Sequence, residues 1–349
     1  MKHKIFTILT VGAMTLNLVV LAGAAGGARA SGTAPDPLVA LLPASDGVAV
    51  LDAERFFNVG LPQVLSANQP ILAGIMAKID EVQNKTGIDL RKFEHVAVGV
   101  TIRSSAPGRV SMEPVAIARG TFTAGALVGV ARLASNGSYR EEKVAGRTMY
   151  VFSAKKAAQK NLPPATGGKA SAVIERTLDG LTREIAIASL DTNILALGTA
   201  VRVRETLNAR TKVDAALIGL LSRDTGSIMS FAVKTPAGLS KFVPIENDEL
   251  GKNLDSIRFL AGSMDVVEGT AAARFMARTQ RADQAQTLLE TLEGLQAVGK
   301  AFLGGAPGPD KQVYARMIDN AKFARTGTDV SFELRVPQSD IDVLIGEKK

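Results

Sequence analysis

A chain of 349 residues with 46% hydrophobic and 21% charged residues has the composition of a globular protein, long enough for one large domain or two ordinary ones. Its formal charge of +7 falls to +4 once Lys2, Lys4 and Arg29 of the leader are set aside, and no dense basic run is present, which argues against nucleic acid as a partner. With neither cysteine nor tryptophan and only 5% aromatic residues, disulfides, thiolate metal sites, cysteine nucleophiles and surfaces that stack sugars or bases are excluded or disfavoured.

The chain opens with the basic Lys2, His3 and Lys4, continues through an apolar run over residues 5–25, and reaches the small-residue sequence Ala28-Arg29-Ala30. This three-part layout predicts a signal peptide over residues 1–30, cleaved after Ala30 so that Ser31 begins the mature chain. The alternative is an uncleaved anchor, since residues 5–25 are long enough to span a bilayer. Thr7, Thr10, Thr15 and Asn17 dilute that run, so an exported protein is expected, periplasmic or extracellular, with membrane contact only if the leader is retained. Residues 31–37 read as a linker.

Beyond the linker one pattern recurs: an apolar, β-branched run stops at a polar residue or proline and an amphipathic helix begins. Val48 to Leu51 passes through Asp52, Val115 to Phe122 through Thr123, and Ile194 to Gly198 through Thr199, each polar residue standing at an N-cap position. A second series follows. Ile228 to Lys234 passes through Thr235 and Pro236, Ala271 to Thr279 leads to a helix from about Ala282, and Val330 to Val336 passes through Pro337 and Ser339. Phe93 to Arg103 precedes the second junction of the first series, as Leu254 to Val267 does in the second. Hairpin turns are expected at residues 191–193 and 326–328.

The same order in both series predicts an internal duplication, with a first half over 38–212 and a second over 213–349. The first half carries an extra hairpin, Tyr139 to Phe152, and a flexible Lys-, Pro- and Gly-rich loop over 155–171. Alternation of Val330, Phe332, Leu334 and Val336 with Ser331, Glu333 and Arg335 marks an antiparallel strand with one solvated face. The stripe Ala285, Leu288, Leu289, Leu292, Leu295, Val298 and Phe302 marks a helix that packs on a sheet. The expected fold class is α+β: two related halves, each a mainly antiparallel sheet with helices packed on one face.

The segments 41–44 before the apolar strand to Asp52, 87–90, 143–152 and 194–199 together resemble an uncharacterised family of exported bacterial proteins, a domain of unknown function. The resemblance lies mainly in the first half. It implies export and a helix-plus-sheet fold, and it brings no site residues with it.

The search for chemistry assembles no catalytic, cofactor or metal site. His95 is the one histidine after the leader, and alternation with Val96, Val98 and Val100 puts it opposite their expected core face. A single histidine is too few for a two-histidine metal site, and a general base needs partners that the sequence does not place. Ser153 and Lys156 match S-x-x-K without its companion motifs, and Gly168-Lys169 lacks the earlier glycine of a phosphate loop. The carboxylates at 141–142, at 246, 248 and 249, and at 340 and 342 read as solvated faces and helix starts. Arg274 and Arg278 share one strand face with Met276 and are the candidate contact for an anion or partner.

The expected function is therefore non-catalytic binding of a protein or envelope partner. Two alternatives remain from other classes. A carrier of a lipid or other apolar small molecule would need an internal apolar cavity, and a hydrolase built from Ser, Lys and carboxylates would need a cleft where they converge.

Overall fold

The computed structural model describes residues 36–153, 184–303 and 308–346, except 107–108, 136, 209, 225, 237, 239 and 241–247. The expected leader with Ala28, Ala30 and Ser31, nearly all of the linker, the loop 155–171, Lys156 and Glu246 lie outside the described residues.

The chain enters through a short 3-10 turn at Pro37–Leu41, capped by Asp36, whose Oδ1 accepts from the Leu38 amide at 2.8 Å. Strand β1 (Gly47–Asp52) then runs into helical segment α1, which passes from Ala53–Arg55 through Phe56–Gly60 to Leu61–Val64. Asp52 caps it as its position predicts, accepting from the Arg55 amide at 2.8 Å. Helix α2 (Gln69–Thr86) has proline in its first turn and ends on Gly87, whose φ of 75° is the left-handed conformation that glycine adopts freely.

Strands β2 (Phe93–Ala106) and β3 (Arg109–Gly120) follow, then helix α3 (Ala124–Ala134). The expected extra hairpin is β4 (Tyr139–Val144) with β5 (Arg147–Ser153), turning through Ala145 and Gly146 at φ 50° and 79°. Strands β6 (Glu184–Asp191) and β7 (Ile194–Thr199) lead to helices α4 (Ala200–Asn208) and α5 (Ala215–Leu221).

The second half, which α5 opens, continues with β8 (Met229–Lys234), α6 (Asp248–Ser256), β9 (Ile257–Val267) and β10 (Thr270–Thr279). Helices α7 (Ala282–Leu303) and α8 (Pro309–Asn320), strands β11 (Lys322–Thr326) and β12 (Asp329–Pro337), and helix α9 (Gln338–Gly346) complete it. Leu254 to Ser256, expected to open a strand, instead end α6. Helices α2, α5 and α8, each of which follows another helix, and α6 fall outside the strand-to-helix junctions that the sequence predicts, while nearly all of the helix expected after Pro236 lies outside the described residues.

Among the described residues the strands form one antiparallel sheet of twelve, in the order β11-β12-β10-β9-β8-β1-β2-β3-β7-β6-β5-β4. The expected α+β class holds, and the sheets of the two halves are joined edge to edge where β1 pairs with β8, Val48 opposite Ala232. Outward from that seam the order is β1, β2, β3, β7, β6 on one side and β8, β9, β10, β12, β11 on the other. The β4–β5 hairpin extends the first side. Both edge strands carry charges, Arg140, Glu141, Glu142 and Lys143 on β4 and Lys322 and Arg325 on β11, which discourages further strands from pairing there.

Helices cover different faces in different places. On one face the 3-10 turn, α4 and α5 bury Leu38, Leu42, Val203 and Leu217 against Val48, Ala97, Ile117 and Ala196. Small strand residues (Ala186, Ala188, Ala196) leave room for α4 to settle closely there. On the opposite face α3 packs over Ala118 and Leu195, and α7 and α9 pack over Val330, Leu334 and Val336. The helices after the third junction of each series, α4 and α9, thus dock on opposite faces.

An aromatic row crosses the second half. Phe231, Phe275, Phe332 and Phe323 have successive ring centroids 6.1, 6.0 and 5.3 Å apart. Gly262 of β9 makes the row possible, because a Cβ there would lie 2.7 Å from the Phe231 ring and 2.8 Å from the Arg274 carbonyl oxygen.

Candidate functional site

His95 pairs in register with Asp52 of β1 and Arg119 of β3, on the face that holds the larger core cluster. The expectation that Val96, Val98 and Val100 mark the one core face is corrected accordingly: helices cover both faces here, and Ala97 is fully buried beside His95. The imidazole Nδ1 lies 2.8 Å from Asp36 Oδ2, without the alignment of a hydrogen bond. That approach brings the chain's entry turn against β2. No nucleophile lies beside it among the contacts described.

Arg278 does lie on the same strand as Arg274, but its guanidinium is spent on Asp329, at 2.7 and 2.9 Å. Arg223 joins them from after α5, donating to Asp329 Oδ2 at 2.7 Å. Arg278 is the chief reason that the Asp329 carboxyl is held below its ordinary range. Arg274 stands opposite Glu333 in the β10–β12 register. The two arginines are therefore not brought together into an open anion site.

The carboxylates at 141, 142 and 340 likewise close into ion pairs. Glu142 receives Arg204 at 2.6 Å and Arg140 at 2.9 Å, and the Arg204 contact above all lowers its pKa to about 2. Arg316 grips Asp340, and Asp342 accepts from Gln338 at 2.8 Å. Burial pushes the Asp265 carboxyl up, against the opposing pull of Arg55 at 2.9 Å. Among the described residues no cluster of three or more His, Asp or Glu side chains is arranged to hold a metal ion.

Among the described residues, two open depressions bear on the search for a site. One, of about 560 Å³, lies where β3 meets α3 and includes Asp89, Lys92, Phe93, Phe122 and Asn193. Asp89 is already engaged by the Arg91 amide and guanidinium, at 3.1 and 2.8 Å. The other, of about 440 Å³, opens over the β1–β8 seam. Ser45 at its rim is a poor nucleophile as held: its hydroxyl donates to the Pro43 carbonyl at 2.9 Å and accepts from the buried Arg202 at 2.7 Å, with no base in place to take its proton.

Comparison with known proteins adds little to this geometry. No family model and no curated protein matches the chain. Among solved structures it is similar to TP0453. Crystal forms III, I and IV of that protein give TM-scores of 0.41, 0.42 and 0.43 at 10% identity, covering 89–90% of this chain and 97–98% of the other.

The most distinctive surface feature belongs to α7. Its stripe was expected to lie wholly on the sheet, yet only the first half does: Ala285 and Leu288 are buried, with Leu289 and Leu292 packed against them. Farther along, Leu295, Val298 and Phe302 are 52%, 67% and 81% exposed. The outer half of α7 meets α8 through other residues. Gln296 donates to the Ile318 and Ala321 carbonyls at 2.6 and 2.9 Å, and Gly299 lets Ile318 approach so closely that a Cβ would lie 3.0 Å from it. Leu295, Val298 and Phe302 lie beside this contact and stay exposed. No sequence signal separates these two halves of one stripe. No helix among the described residues is long and apolar enough to cross a membrane.

Proposed function

We propose that this chain is an exported, non-catalytic binding protein that meets a protein partner through the outer half of α7. The observation that carries the reading is the row Leu295, Val298 and Phe302, three large apolar side chains on one helical face with little protein over them. Exposed single hydrophobes are common, but a contiguous row at helical spacing is the kind of surface a partner's apolar groove recognises. Export rests on the leader layout before Ser31, and the uncharacterised exported family that the first half resembles is in keeping with it. The repeated strand order outward from β1–β8 supports an origin by duplication.

A photo-reactive phenylalanine analogue placed at position 302 in the native host tests the reading, with the same group at Glu293, on the far side of the helix, as control. The expected result is a discrete protein adduct from position 302 alone, lost when Leu295→Ser and Val298→Ser are added. Adducts that are equal at both positions, or absent from both, would overturn it.

A further inference from the structure

We infer that the depression over the β1–β8 seam is a binding site for a small zwitterion of the amino-acid or short-peptide class. It is lined by Asp46, Lys212, Asp214, Leu217, Lys234 and Phe259, from both halves of the chain. Two cations and two anions thus share one hollow of about 440 Å³, a volume within the range of small-molecule sites.

What distinguishes this group is that its charges are not collapsed on one another. Elsewhere, opposite charges that share a surface close into pairs, as in Arg140–Glu142–Arg204, Arg223–Asp329–Arg278 and Arg316–Asp340. Here each of three groups is directed to the backbone instead. Asp46 Oδ2 accepts from the Ile102 amide at 2.8 Å, and Asp214 Oδ1 caps α5 through the Ala216 amide at 2.8 Å. Lys212 Nζ donates to the Ala40 carbonyl at 2.8 Å. Each carboxylate keeps an oxygen, and Lys212 keeps further N–H groups, for something else. Lys234 projects from the end of β8, where its own amide is fixed to the Asp46 carbonyl at 2.7 Å.

For a simple anion the pull of the two lysines is offset by the two carboxylates, and for a simple cation the reverse holds. A molecule carrying both signs satisfies both sets, with its apolar part against Leu217 and Phe259. The frame is rigid: β1 and β8 are central strands, and Arg202 anchors the Ala44–Ser45 wall at 2.8 and 2.7 Å. The two carboxylates, each held by a backbone amide, need little rearrangement on binding. This inference rests on the seam alone and is independent of α7.

Calorimetric titration of the mature protein with alanyl-alanine tests it, with the N-acetylated, C-amidated dipeptide as a control of equal bulk. Saturable binding of the free dipeptide is expected, at least about tenfold tighter than the blocked one. Lys234→Gln, and separately Asp214→Asn, which keeps the capping oxygen, should each weaken it several-fold while leaving thermal unfolding unchanged. No heat of binding up to about 10 mM, equal binding of the blocked dipeptide, or indifference to both substitutions would overturn the assignment.

Discussion

Glu142 shows how one side chain ties distant segments. It sits on edge strand β4 and receives Arg140 from its own strand and Arg204 from α4, and these contacts lower its pKa from 4.5 to about 2. A carboxyl whose folded pKa lies below its unfolded value stabilises the fold fully above the unfolded value, and that contribution disappears as pH falls through the folded one. Glu142→Gln should therefore unfold more easily than the parent at neutral pH, by about 1–2 kcal/mol for a partly exposed charge-assisted pair. The gap should close between pH 4.5 and about 2. Urea titrations at several pH values would show this, and a gap constant down to the acid limit would contradict it. Pairings of this sort were illegible in the sequence: Glu141 and Glu142 look alike there, and only the pleat decides that Glu142 shares a face with Arg204.

At the scale of the element, α7 carries two surfaces on one stripe. Leu288 is 3% exposed and Val298 is 67% exposed, although both occupy apolar positions of the same helix. Leu288→Ala should cost about 2–5 kcal/mol, the range for a large side chain removed from a filled core. Val298→Ala should change stability by no more than about 0.5 kcal/mol, as surface substitutions do. Thermal denaturation of both variants would measure the contrast; similar losses would mean that the outer half of α7 is covered in solution. The periodic pattern made the helix legible, since apolar spacing reports that a face is kept from water. It could not show what keeps it so, because the sheet ends partway along the helix and α8 takes over as its neighbour.

For the whole molecule, the seam between β1 and β8 matters most. The larger core cluster draws Leu38, Val48, Ala97 and Ile117 from the first half and Leu217, Leu220, Ala232 and Met276 from the second. A shared core and a continuous strand ladder predict one cooperative unit, not two domains that melt apart. Calorimetry should give a single transition with calorimetric and van't Hoff enthalpies in agreement, whereas two resolved transitions would show that the halves are independent. Separately produced halves would each expose a long central strand as an edge, with aggregation the expected consequence.

Local chemistry settled much of this in advance. Strand-to-helix junctions at Asp52, Thr199 and Thr279, the Ala145-Gly146 turn and the alternation along Val330 to Val336 are written in neighbouring residues, because caps, turns and pleats involve only a few positions of the chain. The leader layout before Ser31 is equally local. Tertiary structure alone decided that the two halves share one sheet, that both faces of β2 are buried, that Arg278 is spent on Asp329, and that Asp46 and Lys234 meet across the seam. Each of these depends on contacts between residues far apart in the chain, made when strands select their neighbours, and hydrophobic periodicity does not say which strand lies next to which.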